Sequence, residues 1–129
     1  MSKVLLIEDD LFLRDIYMQV LQAEGFTVLT ADDGVSGLAL CKQNVDASLV
    51  LLDIMLPRMH GIDVLKQVKA APETAKLMVV MLTNMSEETV VKEAMRLGAY
   101  AYLLKVKFTP PELVEKVKEF ISFHNTQIQ

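Results

Sequence analysis

The chain has 129 residues, 52% of them hydrophobic and 23% charged, with a formal net charge of −4. That length holds one domain with a substantial core, and the composition excludes disordered and collagen-like chains. The 17 acidic against 13 basic residues argue against direct nucleic-acid binding, and the single cysteine excludes an internal disulfide or a multi-cysteine zinc site.

In chain order, "MSKVLLIEDD" has too few apolar residues before its acids for a signal-peptide core, so a cytoplasmic location is expected. No apolar run reaches the roughly 18 residues of a spanning helix, so no membrane partner is expected. The run "KVLLI" (3–7) reads as a strand. An amphipathic helix follows over about 10–24 and stops at Gly25, a natural left-handed cap. "TVLT" (27–30) is the second strand. After Asp32 and Asp33 comes a helix that puts Val35, Leu38 and Ala39 on one face, with Cys41 as a packed, inert thiol. "SLVLL" (48–52) is the third strand, followed beyond Gly61 by a helix with Ile62, Leu65 and Val68 spaced three apart.

"LMVVML" (77–82) is the fourth strand. Its helix opens at Ser86, carries Glu87 and Glu88 in the first turn, and closes at Gly98. "AYLL" (101–104) is the fifth strand. The last helix starts at "TPPE", with Thr109 as cap, Pro110 at the first helical position and Glu112 as the reciprocal capping residue. Leu113, Val114, Val117, Phe120 and Ile121 form its core stripe. Strands without in-out alternation are covered on both faces. Five strands alternating with five helices define a doubly wound α/β domain with a parallel sheet over 1–125, and 126–129 as a polar tail.

Such sheets bind ligands beyond the carboxyl ends of their strands. Glu8 and Asp9 end the first strand, Asp53 the third, Thr83 the fourth and Lys105 the fifth. Taken singly, Glu8, Asp9 and Asp10 serve as helix caps, Thr83 as a strand-end hydroxyl and Lys105 as a solvated charge. Asp53 is harder to dismiss, since a carboxylate after an apolar run is costly if buried without a partner. Three clustered carboxylates repel one another unless a cation offsets them. An all-oxygen set without histidine or cysteine favours Mg²⁺, with Mn²⁺ as a substitute. A carboxylate beside such a metal, with an ammonium and a hydroxyl at hand, is equipped to accept a phosphoryl group.

The segments "VLLIEDD" with Arg14, "LLDIMLPRMHG", "VVMLTN", "GAYAYLLK" and the capped last helix occur in the order of the response-regulator receiver domains of two-component signalling, and the chain resembles that family over nearly its whole length. The resemblance implies a flavodoxin-like sheet of order 2-1-3-4-5. It implies Asp53 as phosphoacceptor, Glu8 and Asp9 as metal carboxylates, and the backbone carbonyl of Met55 as a further metal ligand. Thr83 and Lys105 would contact the phosphoryl group, and Tyr102 matches the aromatic switch position, the alternative being a plain edge-strand tyrosine. Pro57 and Gly61 match the loop that shapes the site. His60 reads as an exposed loop residue and His124 as a helix-end residue.

The implied partners are a histidine kinase or histidine phosphotransfer protein, and a target protein docking on the fourth helix, fifth strand and fifth helix. A phosphorylation-dependent homodimer is compatible with the same face. The alternative is a degenerate, unphosphorylated receiver acting as a binding scaffold.

Two positions, Val106 and Asn84, depart from the family pattern. Val106 stands after Lys105, where receivers usually carry a proline after a cis bond, and one extra residue precedes the last helix; a trans route is expected, because a non-proline cis bond costs about 2.5–4 kcal/mol. Asn84 follows Thr83 where a small residue is usual, and would narrow the site or add a hydrogen bond. Met55 and Met85 occupy the positions that tune phosphate lifetime, and neither orients water strongly, so slow autodephosphorylation is expected.

Overall fold

The structure, a computed structural model, describes residues 2–127. Strands β1 (Lys3–Ile7), β2 (Thr27–Ala31), β3 (Leu49–Leu52), β4 (Val79–Thr83) and β5 (Ala101–Leu104) form one sheet. Its order is β2-β1-β3-β4-β5 and every pairing is parallel, as expected. Helices α1 (Leu11–Ala23), α2 (Gly34–Gln43), α3 (Gly61–Ala70), α4 (Glu88–Arg96) and α5 (Pro110–Gln127) alternate with the strands. No helix among the described residues is long and apolar enough to cross a membrane.

Successive side chains of a strand point to opposite faces, and here both faces are dry. Leu5, Ile7, Val50, Leu52, Val79 and Met81 pack with residues of α2, α3 and α4. Val4, Leu6, Leu49, Leu51, Val80 and Leu82 pack with residues of α1 and α5. None of these twelve side chains is more than 2% exposed, which is why the central strands read as unbroken apolar runs.

Asp10 caps α1, its carboxylate accepting the Leu13 N–H at 3.0 Å, and Asp33 caps α2 through the Ser36 N–H at 2.7 Å. At α5 the Thr109 N–H donates to Glu112 Oε1 at 2.8 Å, and the Glu112 N–H returns to Thr109 Oγ1 at 3.3 Å. This helix continues through Gln127, and residues 128–129 of the expected tail lie outside the described residues.

Three expectations need correction. Val35 and Ala39 face outward, and Gly34, Gly37, Leu38 and Cys41 form the buried side of α2 instead. A Cβ on Gly37 would lie 2.7 Å from the Ile7 side chain, so α2 meets β1 at a position that has no side chain. Cys41 is fully buried, and burial pushes its thiol up to about 11, so it stays protonated. Next, β4 begins at Val79 and not at Leu77, whose N–H closes a turn onto the Thr74 carbonyl. Finally, α4 begins at Glu88 with Glu87 as an extended cap residue lacking a side-chain cap bond, and Ser86 stays in the preceding loop.

Candidate functional site

The sheet register carries the acids to one edge. Leu52 pairs with Ile7, and one step further the Asp53 N–H donates to the Ile7 carbonyl at 3.1 Å. On the other side of β1, the Glu8 N–H donates to the Ala31 carbonyl at 3.0 Å. Glu8 and Asp53 are therefore held by backbone continuing the sheet, at 1% and 5% exposure, while Asp9 faces solvent. One carboxylate oxygen from each of Glu8, Asp9 and Asp53 falls within 4.8 Å of the others.

Lys105 follows β5 and turns its stem along the same edge. Its ammonium lies 2.7 Å from Glu8 Oε1 and 2.8 Å from Asp53 Oδ2. Asp53 Oδ1 accepts the N–H groups of Ile54 at 2.7 Å and Met55 at 3.4 Å. Burial would depress the Lys105 ammonium, but its hydrogen bonds to Asp53 and Glu8 outweigh that and hold it above its ordinary value. At Glu8 burial wins: the carboxyl is raised, with Lys105 and the Asp10 N–H offsetting only part of the desolvation. The charge that made Asp53 improbable inside an apolar run is thus met by an ammonium and two backbone amides. Arg14 supports the corner from α1, donating to the Glu8 carbonyl at 2.9 Å.

The loop after β4 is joined to its surroundings by three contacts. Buried Thr83 accepts the Met85 N–H on its hydroxyl at 3.2 Å. The Met85 carbonyl in turn accepts the hydroxyl of half-buried Tyr102. That hydroxyl is held above its usual value, first by burial and then by the Asp53 charge. Asn84 reaches the other way, its Oδ1 accepting the Val106 N–H at 3.1 Å. No cis peptide bond occurs among the described residues, and the chain leaves Lys105 through a 3₁₀ turn, Lys105–Lys107.

The loop between β3 and α3 is built differently. Gly61 opens α3 against the backbone of Asp53, where a Cβ would sit 2.1 Å from the carbonyl oxygen. Gly34 packs likewise on Met59, at 1.9 Å for the same hypothetical atom. Arg58 adopts a left-handed conformation with φ 68°, and its guanidinium reaches Asp33 Oδ2 at 3.1 Å. His60 is exposed, as expected, and also caps α3 by accepting the Ile62 N–H at 3.3 Å.

Glu8, Asp9, Asp53, Met55, Thr83, Asn84, Met85 and Lys105 all line a single cleft. Tyr102 does not line it, but its hydroxyl donates to the carbonyl of Met85, which does. The cleft wall also includes Leu13, Ser86 and Glu87, which sequence reasoning did not assign. The sequence pattern puts Ser86 and Glu87 in the first turn of the fourth helix, which hides their place in the cleft wall. The Asp33–Arg58 pair escaped too, although Asp33 beside a helix start was a visible cap signal.

A doubly wound parallel sheet with an acidic cluster and a lysine at its carboxyl edge defines the class as a flavodoxin-like α/β domain. A family model of the response regulator receiver domain matches residues 4–118, and the chain belongs to that family. It is 40% identical over 121 residues to the transcriptional regulatory protein CpxR of Klebsiella pneumoniae subsp. pneumoniae (strain HS11286), covering 94% of this chain and 50% of that protein. The chain thus spans about half the length of the curated relatives it matches. A CheY-like receiver domain protein from Methanospirillum hungatei JF-1 superposes with a TM-score of 0.86 at 27% identity, over 98% of both chains. The Mn²⁺-bound form of response regulator Rcp1 superposes with a TM-score of 0.79 at 27% identity, over 95% of this chain and 94% of that one.

Proposed function

We propose that this domain accepts a phosphoryl group on Asp53 from a phosphohistidine of a histidine kinase or phosphotransfer protein, and thereby switches a protein-interaction surface. The observation that carries the reading is the burial of Asp53 at the end of β3, ion-paired to Lys105 and within reach of two further acids. In the transfer, an Asp53 carboxylate oxygen forms the new P–O bond as the P–N bond breaks. The departing imidazole nitrogen keeps the electron pair and takes a proton from solvent.

The clustered oxygens fit a hard divalent cation, Mg²⁺ or Mn²⁺, since among the described residues no histidine or cysteine joins them. Glu8, Asp9, Asp53 and the Met55 carbonyl would hold it. When bound, the ion supplies positive charge against the phosphoryl oxygens. The Mn²⁺ in the name of the Rcp1 structure supports this choice. Lys105, already paired with Glu8 and Asp53, would offset phosphoryl charge as well, and the Thr83 hydroxyl, which accepts the Met85 N–H, has its own proton to donate to a phosphoryl oxygen. A shift of Thr83 toward that oxygen would strain its bond to Met85, whose carbonyl holds the Tyr102 hydroxyl. The signal then reaches the face of α4, β5 and α5, where Met95, Tyr100 and Phe123 present exposed apolar surface to a target protein or a second copy. A cytoplasmic location accords with such partners.

Intact mass after incubation with Mg²⁺ and acetyl phosphate tests the reading. The parent gains one phosphoryl group and Asp53→Ala gains none; an unchanged parent at saturating donor would favour a binding scaffold. Met55 and Met85 line the cleft with thioether side chains that do not activate water, so the label persists for minutes or longer after donor removal. Loss within seconds would refute that part.

A further inference from the structure

The hydrogen bond between Asn84 and Val106 crosses 22 positions of sequence and joins the loop after β4 to the turn that carries Lys105. Backbone pairing of β4 with β5 ends at Thr83 and Leu104. The Asn84 carboxamide extends that ladder by a side chain, since its Oδ1 receives an N–H that no strand carbonyl receives. Lys105 sits between the last backbone rung and this added one. On its far side the Phe108 N–H closes onto the Lys105 carbonyl at 3.3 Å. The Lys105 backbone is therefore fixed before and after, and its stem can hold the ammonium at 2.7 and 2.8 Å from two carboxylates.

Both partners of the bond are exposed, and Val106 itself is 78% accessible. The Val106 side chain does not anchor this turn; Phe108, two residues on, packs partly against the core, and the Asn84 contact ties the chain between it and β5. The contact needs both residues as they are: an N–H at 106, which proline lacks, and an acceptor long enough at 84.

We infer that Asn84 is a positioning residue for Lys105, acting through the Val106 amide and not through the incoming phosphodonor. The inference rests on the phosphoacceptor reading of Asp53 for its kinetic consequence, but its physical content is independent of that reading.

The test compares the parent with Asn84→Ala, which removes the acceptor, and Asn84→Asp, which keeps one. In Asn84→Ala, hydrogen exchange of the Val106 amide speeds up about three- to tenfold, the factor one net hydrogen bond supplies. The Leu104 amide is unaffected, and the Lys105 ε-methylene NMR signals narrow as the side chain gains freedom. Asn84→Asp restores Val106 protection. With acetyl phosphate and Mg²⁺, Asn84→Ala lowers the maximum rate of phosphoryl uptake by a similar factor and leaves the half-saturating donor concentration unchanged. Unaltered Val106 exchange in Asn84→Ala would overturn the inference. So would a raised half-saturating concentration at unchanged maximum rate, which marks contact with the donor. If even the parent takes up no phosphoryl group, the Asp53 reading fails, and the exchange and Lys105 signals alone decide whether Asn84 holds the lysine.

Discussion

Two loops flank Asp53 at the same edge of the sheet, and they are held by different physics. The loop from β3 to α3 is locked by backbone on backbone: Gly61 lies on the Asp53 peptide and Gly34 on Met59, with no room for a methyl group. The loop from β4 to α4 contains no glycine, and only Met85 packs partly against the core. It is tied by single hydrogen bonds, one donated to the Thr83 hydroxyl and two accepted from Tyr102 and Val106. Close packing has one arrangement, whereas a hydrogen bond worth about 1 kcal/mol net can be exchanged for another. A site that must keep its nucleophile still while reporting its state has reason to divide its walls in this way.

The largest effect expected from this division is at Gly61. In Gly61→Ala the new methyl would meet the Asp53 carbonyl and the Ile54 Cα, and both are backbone atoms that cannot swing aside. A loss of about 3 kcal/mol in unfolding free energy is expected, read from the midpoint shift in urea at unchanged slope. A variant as stable as the parent would mean that this loop yields as easily as its neighbour, and the contrast between the two walls would collapse.

A smaller effect is expected across the cleft. Tyr102→Phe deletes the hydroxyl that donates to the Met85 carbonyl and leaves the ring packed. Global stability drops by about 1 kcal/mol or less. Amide exchange in the loop, at Asn84 through Ser86, accelerates, while that of Ile54 is unchanged. Equal acceleration on both sides of the cleft would show that the walls move together and that the single-bond description is wrong.

The legibility of the two walls differs for a related reason. Strand-end acids and the lysine were readable because each follows an apolar run, and the sheet rule then brings them together without further information. Asp10, Thr109 and Glu112 were readable as caps, since a cap acts within four residues of itself. The tight packing of the first wall was only half legible. Pro57 and Gly61 marked the loop, but Val35 and Ala39 were assigned to the core because apolarity was weighed and close approach was not; Gly34 and Gly37 take that place. Asn84 and Val106 each stood out as departures from the family pattern, yet nothing local links residues 22 apart. Their bond depends on where β4 and β5 stop pairing, a tertiary fact. The helical reading of Ser86 failed similarly, since Glu87 is extended and the cleft wall takes the residues before it.

The smallest effect concerns the single ion pair of the packed wall, and it asks whether charge contributes anything there. The Asp33 carboxyl is held below its ordinary value, chiefly by the Ser36 N–H and then by the Arg58 guanidinium. A depressed folded value gives stabilisation that is complete above the unfolded value, about 3.9, and is lost as the pH falls through the folded one. An asparagine side chain is as good a helix cap as an aspartate, so Asp33→Asn removes the titration without removing the cap of α2. The difference in melting temperature between parent and variant is therefore small near neutral pH and shrinks further below about pH 4. Added salt reduces it as well, because the Arg58 side chain is 62% exposed and the pair is screened. A difference that stays constant from neutral to strongly acid pH would mean that the carboxylate charge has no part in holding Arg58 in its left-handed conformation. The packing of Gly34 and Gly61 would then fix this wall by itself.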